Sequence, residues 1–272
     1  MNTTPASGLI LRLAGPLSAY GTQAAFAHRD TAPHPTRSAL IGMLAAAAGR
    51  PREHALAPFD DLPGRPSYQE LNVTTRIDRP GTLHTDYHVT GGGYPRHMSM
   101  PTSAGQHRPA HSSALPSHRL YLNDAAFTLA LTGPAPLIHT IADHLEHPHY
   151  APYLGRRACV PDEPLVLGDP LPDPEHHLRH HVPLTLPHPP RNGADTVPVT
   201  FLWETPPTHK PADSQLDLAD QPLDLTSENR RYTTRRIWRT TEHLPARLYA
   251  GPRPLAALAD YLEQDLSCTG HA

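Results

Sequence analysis

Apolar positions along this chain fall into short runs with one of two periods. Leu9-Ile10-Leu11-Arg12-Leu13 is an apolar run closed by Ala14-Gly15-Pro16, which predicts a first, buried strand. After a polar loop, Pro35 opens a helix in which Leu40, Ile41, Leu44, Ala45 and Ala48 keep helical spacing, and Gly49 follows as a C-cap. Ser67 to Ile77 alternates loosely through Tyr68, Leu71, Val73 and Ile77, a second strand. Asp78 to Arg119 then changes character: Gly91-Gly92-Gly93, prolines and histidines, with few aliphatic side chains. Such a stretch cannot build a core and is expected to be a protruding hairpin or a mobile excursion. Tyr121 to Leu131 returns as a strand around Phe127-Thr128-Leu129-Ala130-Leu131, and Pro136 to Glu146 reads as a helix with Leu137, Ile138, Ile141 and Leu145 on one face.

The second half is less regular. Val197 to Trp203 and Tyr232 to Trp238 read as strands, Thr205 to Ser227 as a proline-rich, acidic surface loop, and Pro254 to Leu266 as a closing amphipathic helix. No internal repeat is visible. The order strand, helix, strand, excursion, strand, helix fits an α+β, ferredoxin-like unit, an antiparallel sheet with two helices on one face. The expected division is a core over residues 1–170, with the excursion at about 78–119, and a β-rich extension over 171–272 packed on it.

Composition narrows the function classes. With 272 residues the chain can bury a full core, and no apolar run nears the roughly 20 residues of a membrane span. The start Met1-Asn2-Thr3-Thr4-Pro5 lacks signal-peptide features, so the cytoplasm is expected. Cys159 and Cys268 stand far apart without a CxxC partner, which argues for free thiols and against a disulfide scaffold or cysteine zinc site. A formal net charge of −3 speaks against indiscriminate DNA coating but leaves room for a local basic groove. The 21 histidines and 34 prolines read mainly as the habit of a GC-rich genome.

Four segments could carry chemistry. His34-Pro35-Thr36-Arg37-Ser38 places a bidentate donor and two hydroxyls at a helix N-terminus, which favours an anion; ordinary capping is the alternative. Tyr153-Leu154-Gly155-Arg156-Arg157-Ala158-Cys159 sets paired arginines after a glycine, either a phosphate contact or two solvated charges in a turn. Asn229 to Arg239 interleaves five arginines, among them Arg235 and Arg236, with Tyr232 and Trp238. That mixture suits phosphates and stacking, unless the acidic residues Asp213 to Glu228 upstream neutralise it. His176-His177-Leu178-Arg179-His180-His181 has i,i+4 histidine spacing, yet no carboxylate or cysteine is placed to complete a metal site. P-loop, HExxH and GxSxG signatures are missing.

Taken in order, several blocks resemble one family. Leu9 to Pro16, Tyr20-Gly21, Arg29, Pro35 to Ser38, Gly42-Met43-Leu44-Ala45-Ala46, Asp86-Tyr87-His88, Tyr121 to Phe127 and Tyr150 to Cys159 are similar to the Cas-five family (RAMP superfamily) subunit of the type I-E CRISPR surveillance complex, Cascade. The resemblance covers roughly residues 8 to 170 well and the C-terminal third loosely.

The resemblance implies an RRM-related core with a thumb hairpin, and binding of the 5′ handle of the CRISPR RNA at one end of a backbone of Cas-seven-family subunits. It further implies contact with the large PAM-reading subunit, indirect contact with target DNA, no cofactor, and no chemistry of its own. The residues then expected on RNA are Arg12, Tyr20, Arg29, Thr36, Arg37, Ser38, Arg76, Tyr87, His88, Arg156, Arg157, Arg235 and Arg236. Phosphate grip needs arginines and helix starts, and splayed bases need rings such as Tyr20, Tyr87, Tyr121 and Tyr232. The rival is a metal-independent endoribonuclease acting on CRISPR RNA precursors, as in type I-C relatives.

Overall fold

The computed structural model describes residues 6–269 apart from 23, 26, 93, 94, 100, 103, 108 and 110–113. In chain order its elements are β1 (Ala6–Ala14), β2 (Leu17–Ser18), β3 (Ala24–Ala25), β4 (His28–Arg29), α1 (Arg37–Ala47), β5 (Asn72–Arg79), β6 (Thr82–Thr90), β7 (Leu115–Asn123), β8 (Ala126–Pro134), α2 (Ala135–Glu146), α3 (Pro174–His180), β9 (Thr196–Trp203), β10 (Ser214–Asp224), β11 (Arg231–Pro245) and α4 (Pro254–Thr269). One sheet has the order β1-β8-β5-β9-β11-β10, antiparallel throughout, so it runs without a break from the N-terminal into the C-terminal half. A ferredoxin-like unit would carry a fourth strand beside β1. There the segment 165–171 lies instead, joined to β1 by the antiparallel bridges Gly8–Leu171 and Leu11–Val166.

Period two on the strands gives the sheet two apolar faces. Leu9, Leu11 and Leu13 of β1 join Phe127, Leu129 and Leu131 of β8 under Leu40, Ile41 and Leu44 of α1 and Leu137, Ile138 and Ile141 of α2. Ile10 points the other way, into a cluster with Val182, Leu258 and Tyr261. Leu178 of α3 packs there on Ala130 and Phe201.

A second, smaller sheet has the order β2-β7-β4-β3, with β6 also paired to β7. The β6–β7 hairpin keeps continuous register from Thr82–Asn123 to Thr90–Leu115. It forms the stem of the expected excursion, whose tip falls partly outside the described residues, as do Met1 to Pro5. The chain enters the hairpin through Gly81 (φ +73), where an added Cβ would meet Asn123 O at 2.7 Å. It leaves through Asp124, a left-handed residue at φ 53.

Three expected elements are corrected. The strand drawn from Ser67 begins only at Asn72, because Tyr68–Glu70 forms a short helical turn capped by Ser67. The strand drawn from Tyr121 to Leu131 is two strands in different sheets, broken at Asn123-Asp124, because a short polar pair that tolerates left-handed backbone makes the turn. The loop drawn over Thr205 to Ser227 contains β10. Its aspartates face arginines of β11, and Pro222 is tolerated because β10 is the sheet's edge.

The face of the sheet opposite α1 and α2 holds a buried charge cluster. Asp78 sits between Arg12 and Arg76, all three inaccessible. Arg76 grips Asp78 at 2.6 and 3.1 Å and donates to the carbonyls of Leu178, Val182 and Pro183. Arg12 donates to Asp78, Thr185, Thr128 (2.8 Å) and Glu163 (2.7 Å). Burial alone would raise the Asp78 carboxyl, but the two guanidiniums outweigh it and hold it below the usual range. Arg12 and Arg76, expected on RNA, are thereby corrected to core residues, since a side chain with no access to solvent and its donors committed has nothing left for a phosphate.

α3 is capped by Asp173, which accepts from His176 N at 2.9 Å. The rings of its histidines crowd each other, His176 on His180 at 4.6 Å and His177 on His181 at 4.8 Å. Among the described residues no group of three or more His, Cys, Asp or Glu is arranged to hold a metal. No described helix is long and apolar enough to cross a membrane. Cys159 is a buried free thiol, and the Cys268 side chain lies outside the described ones.

Asp78→Asn is expected to cost about 3–5 kcal/mol in denaturant unfolding, because it leaves buried guanidiniums without their shared counter-charge. The exposed Asp217→Asn, which breaks the Arg236 pair, should leave the unfolding midpoint close to that of the wild type in the same assay. Desolvation and neighbouring His and Arg side chains lower His180 and His181 in the fold. Their neutral forms are therefore favoured in the folded state, and this contribution is present above pH of about 6.5 and lost on acidification. Melting curves should fall between about pH 7 and 5.5, and fall less steeply in the His180→Gln/His181→Gln variant.

Candidate nucleic-acid interface

The start of α1 is closed from inside the molecule. Thr36 has extended backbone and its hydroxyl accepts from Ala39 N at 3.3 Å. The Arg37 amide donates to Asp220 Oδ2 at 2.9 Å, so the positive end of the helix already holds a carboxylate. The Arg37 side chain turns inward to Glu204 and to the carbonyls of Gln69 (3.0 Å) and Leu71 (2.8 Å). Arg235 completes the set, gripping Asp220 at 2.6 and 2.9 Å and Glu204 at 2.8 Å. Four charges thus tie α1 to the ends of β9, β10 and β11.

Arg37 and Arg235 are accordingly corrected from RNA contacts to fastenings, the anion that suits this helix start being supplied by β10, whereas Thr36 caps the helix and still lines the cleft over α1. Tyr20 is corrected as well. It is buried edge-on against Phe127, with centroids 5.9 Å apart, and burial pushes its phenol well above the usual range. The acidic segment does neutralise much of the arginine run, since Arg236 pairs with Asp217 at 3.0 Å and Arg231 lies 3.8 Å from Asp224.

The two arginines of the Gly155-Arg156-Arg157 turn divide the work. Gly155 has φ +89, and an added Cβ would lie 1.8 Å from Ala19 O, so only glycine fits. Arg156 packs over the Tyr121 ring at 4.6 Å and donates to Leu120 O (2.9 Å), Asp30 O (3.0 Å) and Arg29 O (3.2 Å). Arg157 is exposed.

Arg157 opens onto a solvent-open cleft of about 1330 Å³. Its floor is the small-residue face of α1, Ala39, Gly42 and Ala46, beside Ser38. Its walls carry Arg50, Arg52, Arg157 and Arg230 together with Tyr150, Tyr153 and Tyr232. None of its described lining residues is acidic. Arg50 is held by the carbonyl of Ala57 (2.8 Å) and the face of Phe59 (4.2 Å). Arg52, Arg157 and Arg230 are exposed, and their side chains have no hydrogen-bond or ion-pair partner among the described residues. The cleft can hold a polyanion with rings to spare for stacking.

Of the expected residues, Thr36, Ser38 and Arg157 therefore come together here with Arg230 and Tyr232 of the arginine run. Arg29, Tyr87 and His88 lie on the second sheet instead; Tyr87 is 63% exposed, and His88 sits 3.3 Å from Asp86. Arg52 was missed: an arginine directly after a proline, beyond the end of a helix, carries no local signal, and only the fold sets it in one cleft with Tyr150.

The comparisons with known proteins decide the family. The model of the CRISPR-associated protein Cas5 family matches residues 8–238. The chain belongs to the Cas5 family. The CRISPR system Cascade subunit CasD of Escherichia coli strain K12 is 34% identical over 185 residues, 65% of this chain and 78% of that protein. A chain of a solved CRISPR RNA-guided surveillance complex superposes with TM-score 0.82 at 41% identity, covering 95% of this chain and 100% of that one. A solved Cas protein matches with TM-score 0.56 at 27% identity, covering 89% and 97%.

This Cas5 fold makes adjacent arginines unequal in stability. Arg156→Ala removes the donor to three carbonyls and is expected to cost about 1–3 kcal/mol in denaturant unfolding. Arg157→Ala should stay within about 0.5 kcal/mol of the wild type.

Proposed function

We propose that this chain is a non-catalytic, RNA-binding subunit of a type I-E CRISPR surveillance complex, and that the cleft over α1 grips the 5′ handle of the CRISPR RNA. The observation that carries the proposal is the cleft itself: three unpaired, exposed arginines, Arg52, Arg157 and Arg230, facing Tyr150, Tyr153 and Tyr232 with no acidic residue in the described lining. A single-stranded handle offers what these groups take, phosphates for the guanidiniums and unstacked bases for the rings. Membership of the Cas5 family and likeness to a Cascade subunit and to an RNA-guided complex support the same assignment. In that role the chain works in the cytoplasm and caps a backbone of Cas-seven-family subunits. It also meets the large PAM-reading subunit, and its β6–β7 hairpin acts as the thumb beside the guide-target duplex.

The test is salt-dependent binding of a handle RNA. Removing one phosphate contact lowers the slope of log affinity against log salt by about 0.7 for a single strand. Arg52→Ala/Arg157→Ala/Arg230→Ala should bind at least about tenfold more weakly, with a slope reduced by about 2. An unchanged slope and affinity would overturn the assignment of the cleft. Repeat RNA incubated with the purified chain in EDTA should remain intact, and cleavage at one site would replace the assembly role with the ribonuclease reading.

A further inference from the structure

The β6–β7 hairpin presents a second surface that the cleft does not use. His28 of β4 is in register with His118 of β7, and His118 with Tyr87 of β6. Three rings from three neighbouring strands therefore form one row, with His28 and His118 centroids 5.4 Å apart at 12° and Tyr87 5.3 Å from His118, tilted by 56°. Strand spacing of about 4.8 Å sets this separation, so the row follows from the pairing of the three strands. All three rings are exposed. Beside them lies a shallow hollow of about 560 Å³ lined by His28, Arg29, Asp30, Thr85, His118 and Leu120.

The row adjoins the Gly155-Arg156-Arg157 turn. Arg157 lines the cleft, while Arg156 donates to the backbone of Arg29 and Leu120 at the edge of the hollow. One turn thus touches both surfaces. Exposed rings on a sheet face, with an arginine at the rim, are how unpaired bases are stacked and their phosphates met. An apolar protein surface fits the row less well, because it would leave two imidazoles buried without partners for their nitrogens.

We infer that His28, His118 and Tyr87 form a stacking platform for an unpaired base of the same RNA strand whose phosphates occupy the cleft. The inference rests on the RNA-binding reading above. Stacking is sequence-tolerant, so the platform would fix where the strand lies without choosing the base.

The test uses the full chain and short single-stranded handle RNAs carrying 2-aminopurine at successive positions. Fluorescence should be quenched on binding at one position, and His28→Ala/His118→Ala/Tyr87→Ala should abolish that quenching and weaken binding about fivefold or more. The salt slope should not change, because no phosphate contact is removed. His118→Phe, which keeps a ring, should retain the quenching. Wild-type quenching in the triple-alanine variant would overturn the platform. So would normal RNA binding joined to failure to assemble with partner subunits, which would make the face a protein contact. The cleft variant separates the two readings: a reduced salt slope there with intact ring-variant binding leaves the cleft standing and removes the platform. No effect of either variant removes both.

Discussion

The cleft exists because two carboxylates, Asp220 and Glu204, absorb two arginines where α1 meets the β10–β11 hairpin. Each of these charges would be costly to bury alone, and removal of any one leaves another uncompensated. Glu204 also accepts the Val73 amide at 2.9 Å, so the same group fixes the end of β9 against β5. With the hairpin fastened in this way, Leu225, Arg230 and Tyr232 hang over the small-residue face of α1 and form one wall of the groove. Arg235, which makes the fastening, and Arg230, which faces the groove, belong to one run of sequence, and only the carboxylates tell them apart.

That sorting explains how a chain with 23 Lys+Arg and 26 Asp+Glu can present a basic surface. Its acidic residues are spent against particular partners: Asp78 between two core arginines, Asp220 on the helix start and Arg235, Asp217 on Arg236. What remains unpaired in the cleft is positive. Total charge is a sum over these pairings and carries no information about any one face, and binding follows the local field.

Much of the fold was legible because it follows from periodicity. Leu9 to Leu13, α1, α2, β9 and α4 lie where apolar spacing puts them, since their apolar side chains pack into the clusters on the two faces of the sheet. β10 was not legible: its aspartates and Pro222 argue for a loop, and a strand results only because β11 supplies arginines opposite and the edge spares the proline an amide partner. The site was half legible for a similar reason. An arginine in a strand or at a helix start reads the same whether its guanidinium faces phosphate or a carboxylate 167 residues away, as Arg37 does with Glu204. Sequence locates donors; the partner that uses them up is a tertiary fact.

The Gly155-Arg156-Arg157 turn shows how far one local constraint reaches. Gly155 takes left-handed backbone against Ala19, and the two arginines after it meet different surroundings. Arg156 is drawn back onto Tyr121 and three carbonyls, which joins β7 to the backbone after β4. Arg157 is left exposed over the cleft. A guanidinium suits the first position because its planar fork reaches several carbonyls at once, and a compact ammonium could not. The doubled arginine is therefore one brace and one contact, and the brace holds the strand that carries His118 next to the turn that carries Arg157. Geometry that begins with a missing Cβ ends by setting the two RNA-facing surfaces proposed for this chain on either side of a single rigid joint.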